Sequence, residues 1–285
     1  MRILVAIDDS RYSEWAVDAL RKLPLTADPE ITVCHVVEHG AITHPALHYP
    51  ASKRFKSQVD QEIASRVRTA ERLTEHAADR LRERWAHVET RVEKGNAAET
   101  IIDRAQELQC DLIVLGAQGR SDIEAFLLGS VSFKIATYAP CSVLVIKQPM
   151  ETIERILLAV DGSAYSDRAA SFLANHVDPT GLDLRVLTVV ENRSEALEIA
   201  SVTDDADEVS RKLTERGFTA RASRREGHAA EQIAAGSRDE DVQLVVVGAR
   251  GLTGLRQFFL GSVSHKTVKY CDRAVLVVRD ERSEG

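Results

Sequence analysis

Two short runs of the sequence carry the same arrangement of small residues. In the first, Gly116 closes an apolar stretch, Gly119 follows, and after nine further residues Gly129 stands before Ser130. In the second, Gly248, Gly251 and Gly261 with Ser262 keep the same spacing. Glycines at the end of a buried strand let the backbone turn sharply and approach a ligand with no Cβ in the way. A Gly-Ser pair at the head of the next helix, in GSVSFK and GSVSHK, adds free amide N–H groups, the positive end of the helix dipole and a serine suited to N-capping. Together these make a cradle for phosphate. Ordinary turns and caps use the same residue types, so a second signal is needed.

Asp8 supplies it, at the end of the first strand, with Asp161 in the same place in the second run. In a doubly wound sheet the ligand crevice lies outside the carboxyl ends of the strands, where their order reverses. Asp8 is then expected to face Gly116 across one crevice, where its carboxylate can accept hydrogen bonds from a ribose hydroxyl or an adenine amino group. Its alternative role is the N-cap of the helix that begins SEWAV.

The elements that position these residues are read from an internal repeat. RILVAIDDS (2–10) returns as RILLAVDGS (155–163), and CHVVE (34–38) as LTVVE (187–191), at an offset of 153. From Gly95 the offset is 132: KGNAAETI matches EGHAAEQI, DLIVLGAQG matches QLVVVGARG, and FLLGSVSFK matches FFLGSVSHK. The second copy is therefore 21 residues shorter, and the loss falls between its second strand and Gly227. In the first copy that stretch holds a loop with His44, Pro45 and Pro50, then a long helical pattern around 58–85.

Short continuous apolar runs (ILVAI, ITVCHVV, DLIVLG, SVLVIK) alternate with amphipathic helices such as YSEWAVDALRKL and AAETIIDRAQEL. Runs of that kind read as strands covered on both faces. The fold expected is α/β: two doubly wound, Rossmann-like domains in tandem, each a five-stranded parallel sheet. Their spans are 1–148 and 152–280, joined by QPMET and followed by the tail DERSEG. The last strands, VLVI (143–146) and VLVV (275–278), would be bare apolar edges, and pairing one with the other covers both.

Composition narrows the function classes. A chain of 285 residues suits two domains, and 44% apolar with 28% charged residues is the balance of a globular protein. The net charge of −7 divides into −2 before residue 148 and −5 from there on, which argues against binding along nucleic acid. The apolar stretch after Arg2 is too short for a signal peptide, and no run is long enough for a membrane span. Cys34, Cys110, Cys141 and Cys271 are scattered without a CxxC pair, so no disulfide framework or zinc cluster is indicated. The location expected is cytoplasmic.

With these residues in place the chain resembles the universal stress protein domain, twice, over nearly its whole length. The GxxG, nine residues, GS pattern is the signature of that family's ATP-binding members, and it stands complete in both copies. The resemblance implies an adenine nucleotide alpha hydrolase-like fold and ATP as ligand, with ADP or AMP as alternatives and Mg2+ as the accompanying ion. It implies adenine near Ala6, Asp8 and Val36 in one copy, and near Ala159, Asp161 and Val189 in the other. Phosphates would lie over Leu115, Gly116, Gly119, Gly129, Ser130, Val131 and Ser132, and over Val247, Gly248, Gly251, Gly261, Ser262, Val263 and Ser264. Arg250, between the second pair of glycines, joins this set by its charge. Tandem members of the family form an intramolecular pseudo-dimer through their last strands; a further homodimer is left open.

The copies differ in charge between the glycines. Residues 116–132 hold Arg120, Asp122 and Glu124, while 248–264 hold Arg250 and Arg256. The second copy is thus expected to bind ATP more tightly, unless these charges point into solvent. No GxxxxGK[ST] run supplies the lysine of a Walker loop, and there is no GxGxxG or GxSxG. Fast hydrolysis is unsupported, and no residue is assigned a catalytic role.

Cys34, His35, His39, His44 and His48 lack zinc spacing. Ser264 and His265 are adjacent on a helix and point about 100° apart, which disfavours a nucleophile and base. Trp15, Trp85, Tyr138 and Tyr270 read as core or interface residues. The helix bearing Arg66, Arg68, Arg72, Arg80, Arg82 and Arg84, interleaved with acids, reads as a salt-bridged solvent face. Three functions follow: a nucleotide-dependent stress-response module with an unidentified protein partner, a slow ATPase or autophosphorylating enzyme, and a nucleotide-free scaffold.

Overall fold

Each apolar run becomes a strand because aliphatic and β-branched side chains fill both faces of a covered sheet. A computed structural model describes residues 1–38, 53–119, 128–191, 200–251 and 260–279. The first half holds β1 (Arg2–Ala6), α1 (Arg11–Lys22), β2 (Glu30–Val37), α2 (Lys53–Arg82), β3 (His87–Lys94), α3 (Ala97–Glu107), β4 (Leu112–Gly116), α4 (Ser130–Tyr138) and β5 (Ser142–Ile146). The second holds β6 (Arg155–Val160), α5 (Ala164–His176), β7 (Asp183–Val190), α6 (Ala200–Glu215), β8 (Thr219–Glu226), α7 (Ala229–Asp239), β9 (Leu244–Gly248), α8 (Ser262–Tyr270) and β10 (Ala274–Val278). The shorter second copy is visible in its helices: α2 has 30 residues and α6 has 16.

All ten strands form one sheet in the order β3-β2-β1-β4-β5-β10-β9-β6-β7-β8. Pairing within each half is parallel. The halves join where β5 and β10 run antiparallel, with Val143 opposite Val277 and Val145 opposite Val275. The expected pairing of last strands is therefore observed. The sheet's outer edges are β3 and β8, whose sequences HVETRVEK and TARASRRE are rich in charge. Charged side chains blunt such edges against further pairing.

One apolar layer lies on each face of the sheet and runs through both halves. On one side α1, α2, α5 and α6 contribute Leu20, Leu81, Leu173 and Leu213. On the other, α3, α4, α7 and α8 contribute Ile101, Ile135, Ile233 and Val268.

The last helices are held across the junction. Lys147, just after β5, donates to the carbonyls of Val268 and Cys271 at the end of α8. In return Arg279, just after β10, donates to Ala136 (2.6 Å) and Thr137 (3.0 Å) at the end of α4. A cation at a helix C-terminus satisfies carbonyls that have no partner within the helix and complements the dipole. His265 of α8 packs edge-on against Phe133 of α4, their centroids 5.2 Å apart.

Two expectations need correction. Tyr138 and Tyr270 are 46% and 62% exposed, whereas Trp85 is buried; the tyrosines end their helices, beyond the turns that reach the core. The arginine-rich helix is only in part a solvent face. Arg66 pairs with Glu62, and Arg82 with Glu75 and Asp79. Arg80 instead reaches Asp18 of α1, and Arg84 the carbonyl of Arg21, because the end of α2 packs beside α1.

All four cysteines are buried and none forms a disulfide. Burial pushes the Cys34 thiol up to about 12, and only the thiolate reacts readily. The folded protein at pH 8 is expected to resist a thiol reagent that labels all four sites in denaturant; rapid native labelling of any of them would contradict this.

Candidate functional site

Strand order reverses between β1 and β4, and again between β6 and β9, and a crevice opens at each place. The second half's cavity measures about 350 Å³ and the first half's about 120 Å³. The first is lined by Ala6, Asp8, Val36, Leu115, Gly116, Gly119, Gly129, Ser130, Val131 and Ser132. Ala159, Asp161, Val189, Val247, Gly248, Arg250, Gly251, Gly261, Ser262, Val263 and Ser264 line the second. Every residue of the two motif sets thus comes to one crevice or the other. Ser13, Gln118 and Ile101 also line the first, and Ser166, Leu187 and Ile233 the second. Helix apolar positions and a serine five residues from Asp8 gave no separate signal.

The glycines divide their work in a way that spacing does not reveal. A Cβ on Gly116 would lie 2.5 Å from Cβ of Tyr12 and 2.8 Å from its carbonyl oxygen; on Gly248 it would lie 2.6 Å from the Tyr165 carbonyl oxygen. Those two glycines admit the first turn of α1 or α5 against the strand. The residue that faces Asp8 is Gly119, where a Cβ would lie 2.9 Å from Asp8 Oδ2, and Gly251 stands likewise to Asp161. Asp8 and Gly116 line one crevice as expected, and the glycine in contact with the carboxylate is Gly119. A Cβ on Gly261 would meet the backbone of Arg250 at 3.1 Å.

The caps also differ by one position from the expectation. Gly129 and Gly261 are the N-caps of α4 and α8, without a side-chain cap, and Ser130 and Ser262 are the first helical residues. Glycine leaves the first-turn N–H groups without a capping oxygen, so they point at the crevice. Ser132 and Ser264 are buried, and their hydroxyls donate to the carbonyls of Ala117 and Gly129, and of Gly248. At those two positions the backbone, rather than the hydroxyl proton, is available to an anion.

Asp8 is not the N-cap of α1; Ser10 is, accepting from the Ser13 amide. Asp8 Oδ1 accepts from the Ser10 amide (3.1 Å), the Ser10 hydroxyl (2.5 Å) and the Ser13 hydroxyl (2.7 Å). Asp161 Oδ1 accepts from the Ser163 amide at 3.1 Å, while the Ser166 hydroxyl turns away to the Ser163 carbonyl. The second carboxylate is therefore less engaged by its own loop. Arg250 lines the second crevice and reaches the Tyr165 hydroxyl at 3.3 Å. Burial holds His35, near Asp8, below its ordinary value, so it brings no positive charge at neutral pH.

Among the described residues no group of three or more His, Cys, Asp or Glu could hold a metal ion. His39, His44 and His48 lie outside them, as do Arg120, Asp122, Glu124 and Arg256.

The model of the universal stress protein family matches residues 1–147 and again 152–279. The chain belongs to the universal stress protein family. A universal stress protein of Mycolicibacterium smegmatis is 29% identical, the match covering 97% of this chain and 96% of that protein. The universal stress protein YxiE of Bacillus subtilis, also 29% identical, matches 51% of this chain and 98% of its own length, as expected for one member of a tandem pair. The crystal structure of a universal stress protein from Archaeoglobus fulgidus has a similar fold over 98% of this chain and 96% of its own, with a TM-score of 0.69 at 20% identity. In this tandem universal stress protein the glycine frame stands at both strand-order reversals.

Proposed function

We propose that each half binds one adenine nucleotide, ATP foremost, with the base at the Asp8 or Asp161 end and the phosphates over the start of α4 or α8. The observation that carries this reading is the convergence of both complete motif sets on two crevices at the reversals of strand order. A glycine-capped helix start with unengaged N–H groups suits phosphate, and the missing Cβ atoms of Gly119 and Gly251 leave room beside a carboxylate. Mg2+ would enter on the phosphates, since no described cluster is built for it.

The second crevice is the tighter. It is the larger, its aspartate is less engaged, and Arg250 lines it. Without a Walker lysine, the chain acts as a nucleotide-dependent module of a stress response rather than as a fast ATPase. A cytoplasmic setting agrees with four cysteines that form no disulfide. Among the described residues no helix is long and apolar enough to cross a membrane.

Mass spectrometry of small molecules released from the purified protein tests the ligand class. An adenine nucleotide is expected; an empty protein that also takes up none from added ATP would overturn the reading.

A further inference from the structure

A third cavity, of about 290 Å³, lies at the junction of the two halves. Its walls are aromatic: Tyr12 and Trp15 from α1, stacked edge-to-face with centroids 4.8 Å apart, and the exposed Tyr270 at the end of α8. Three cations border it. The Arg11 guanidinium sits 5.2 Å from the centroids of both Tyr12 and Trp15, and the Lys269 ammonium 5.2 Å from that of Tyr270. Lys147 gives two N–H groups to α8 carbonyls and keeps a third. Neither Arg11 nor Lys269 forms an ion pair among the described residues. One acid, Asp272, lies in the lining, 3.9 Å from Arg273.

The repeat makes this place a divergence rather than a by-product of duplication. By the offsets of the repeat, Arg11 and Trp15 correspond to Ala164 and Arg168, Gln118 to Arg250, and Lys269 to Thr137. In that half the guanidinium groups of Arg168 and Arg250 lie 4.8 and 5.6 Å from the Tyr165 centroid, two cations on the ring where Tyr12 has Arg11.

We propose that this junction cavity is a binding site for a small aromatic carboxylate, its ring held among Trp15, Tyr12 and Tyr270 and its charge between Arg11 and Lys269. Ring-on-ring contact favours a planar apolar body, and a guanidinium with no acid partner favours a carboxylate. Asp272 in the lining disfavours a polyphosphate. Cavities at domain junctions with few polar groups are common ligand sites.

Calorimetric titration of the full chain with 2-naphthoate tests this, with cyclohexanecarboxylate and 2-naphthalenemethanol as controls for ring and charge. One saturable site per chain is expected, weaker for both controls. Reversing the two charges (Arg11→Glu with Lys269→Glu) is expected to weaken it by about tenfold or more. In a Trp85→Phe variant, which leaves Trp15 as the one tryptophan, 2-naphthoate should quench the emission. Saturating ATP, or Gly119→Val, should leave naphthoate binding in place, which separates this site from the nucleotide crevices. Absent saturation, equal binding by a folded charge-reversed protein, or displacement by ATP would each overturn the proposal.

Discussion

Gly251→Val is expected to weaken ATP binding at the second crevice by about tenfold or more, ~1.4 kcal/mol, with little change in stability. A Cβ at this position collides with Oδ2 of Asp161, the far end of a side chain that can turn aside, so the fold yields and the site does not. Displacing Asp161 removes the carboxylate proposed to hold the ribose or base, and the valine methyl groups enter the space meant for phosphate. Gly119→Val does the same to the first crevice, against Asp8. Gly248→Val serves as the contrast. Its Cβ meets the Tyr165 backbone, which cannot turn aside, so it should cost stability, ~1–3 kcal/mol by overpacking. Calorimetry with ATP and thermal melting of the same variants separate the two effects.

The second large effect concerns the crossed caps. Arg279→Met is expected to destabilise the protein by ~1.5–3 kcal/mol, the usual worth of hydrogen bonds from a charged group. The methionine keeps the packing of the stem but leaves the Ala136 and Thr137 carbonyls buried without their donor. Lys147→Met should cost less, because it removes a charge that burial already disfavours. It has a pH signature instead. Burial pulls Lys147 down to about 8, below the ordinary lysine value of about 10.4. Between these values the unfolded chain binds more protons, so stability from this group rises with pH across that window. Subtracting the melting curves of Lys147→Met from those of the unaltered chain should expose that slope; a flat difference from pH 8 to about 10 would contradict it.

Much of this was legible because the sequence states it twice. The strands of the sheet centre are continuous apolar runs, the last of them too apolar to be left bare, and β5 duly pairs with β10. The glycine and aspartate frame was visible by spacing alone. The roles within it were not, because they depend on which atoms approach across the fold. Gly116 and Gly119 look alike on paper, yet one accommodates Tyr12 and the other Asp8. A helix start is hard to fix to one residue, and the cap fell on Gly129 rather than Ser130. Long-range partners such as Arg279 with the end of α4 leave no local pattern, since a single arginine after a strand reads as surface. The edge strands β3 and β8 were faint for the opposite reason: charges that protect an edge also dilute the apolar signal that marks a strand.

Calorimetric titration of the full chain with ATP bears most directly on the central proposal. Two sites per chain of unequal affinity are expected, with Gly251→Val weakening the tighter by about tenfold or more and Gly119→Val weakening the other. Absence of saturable binding, or loss of the tighter site on Gly119→Val, would contradict it.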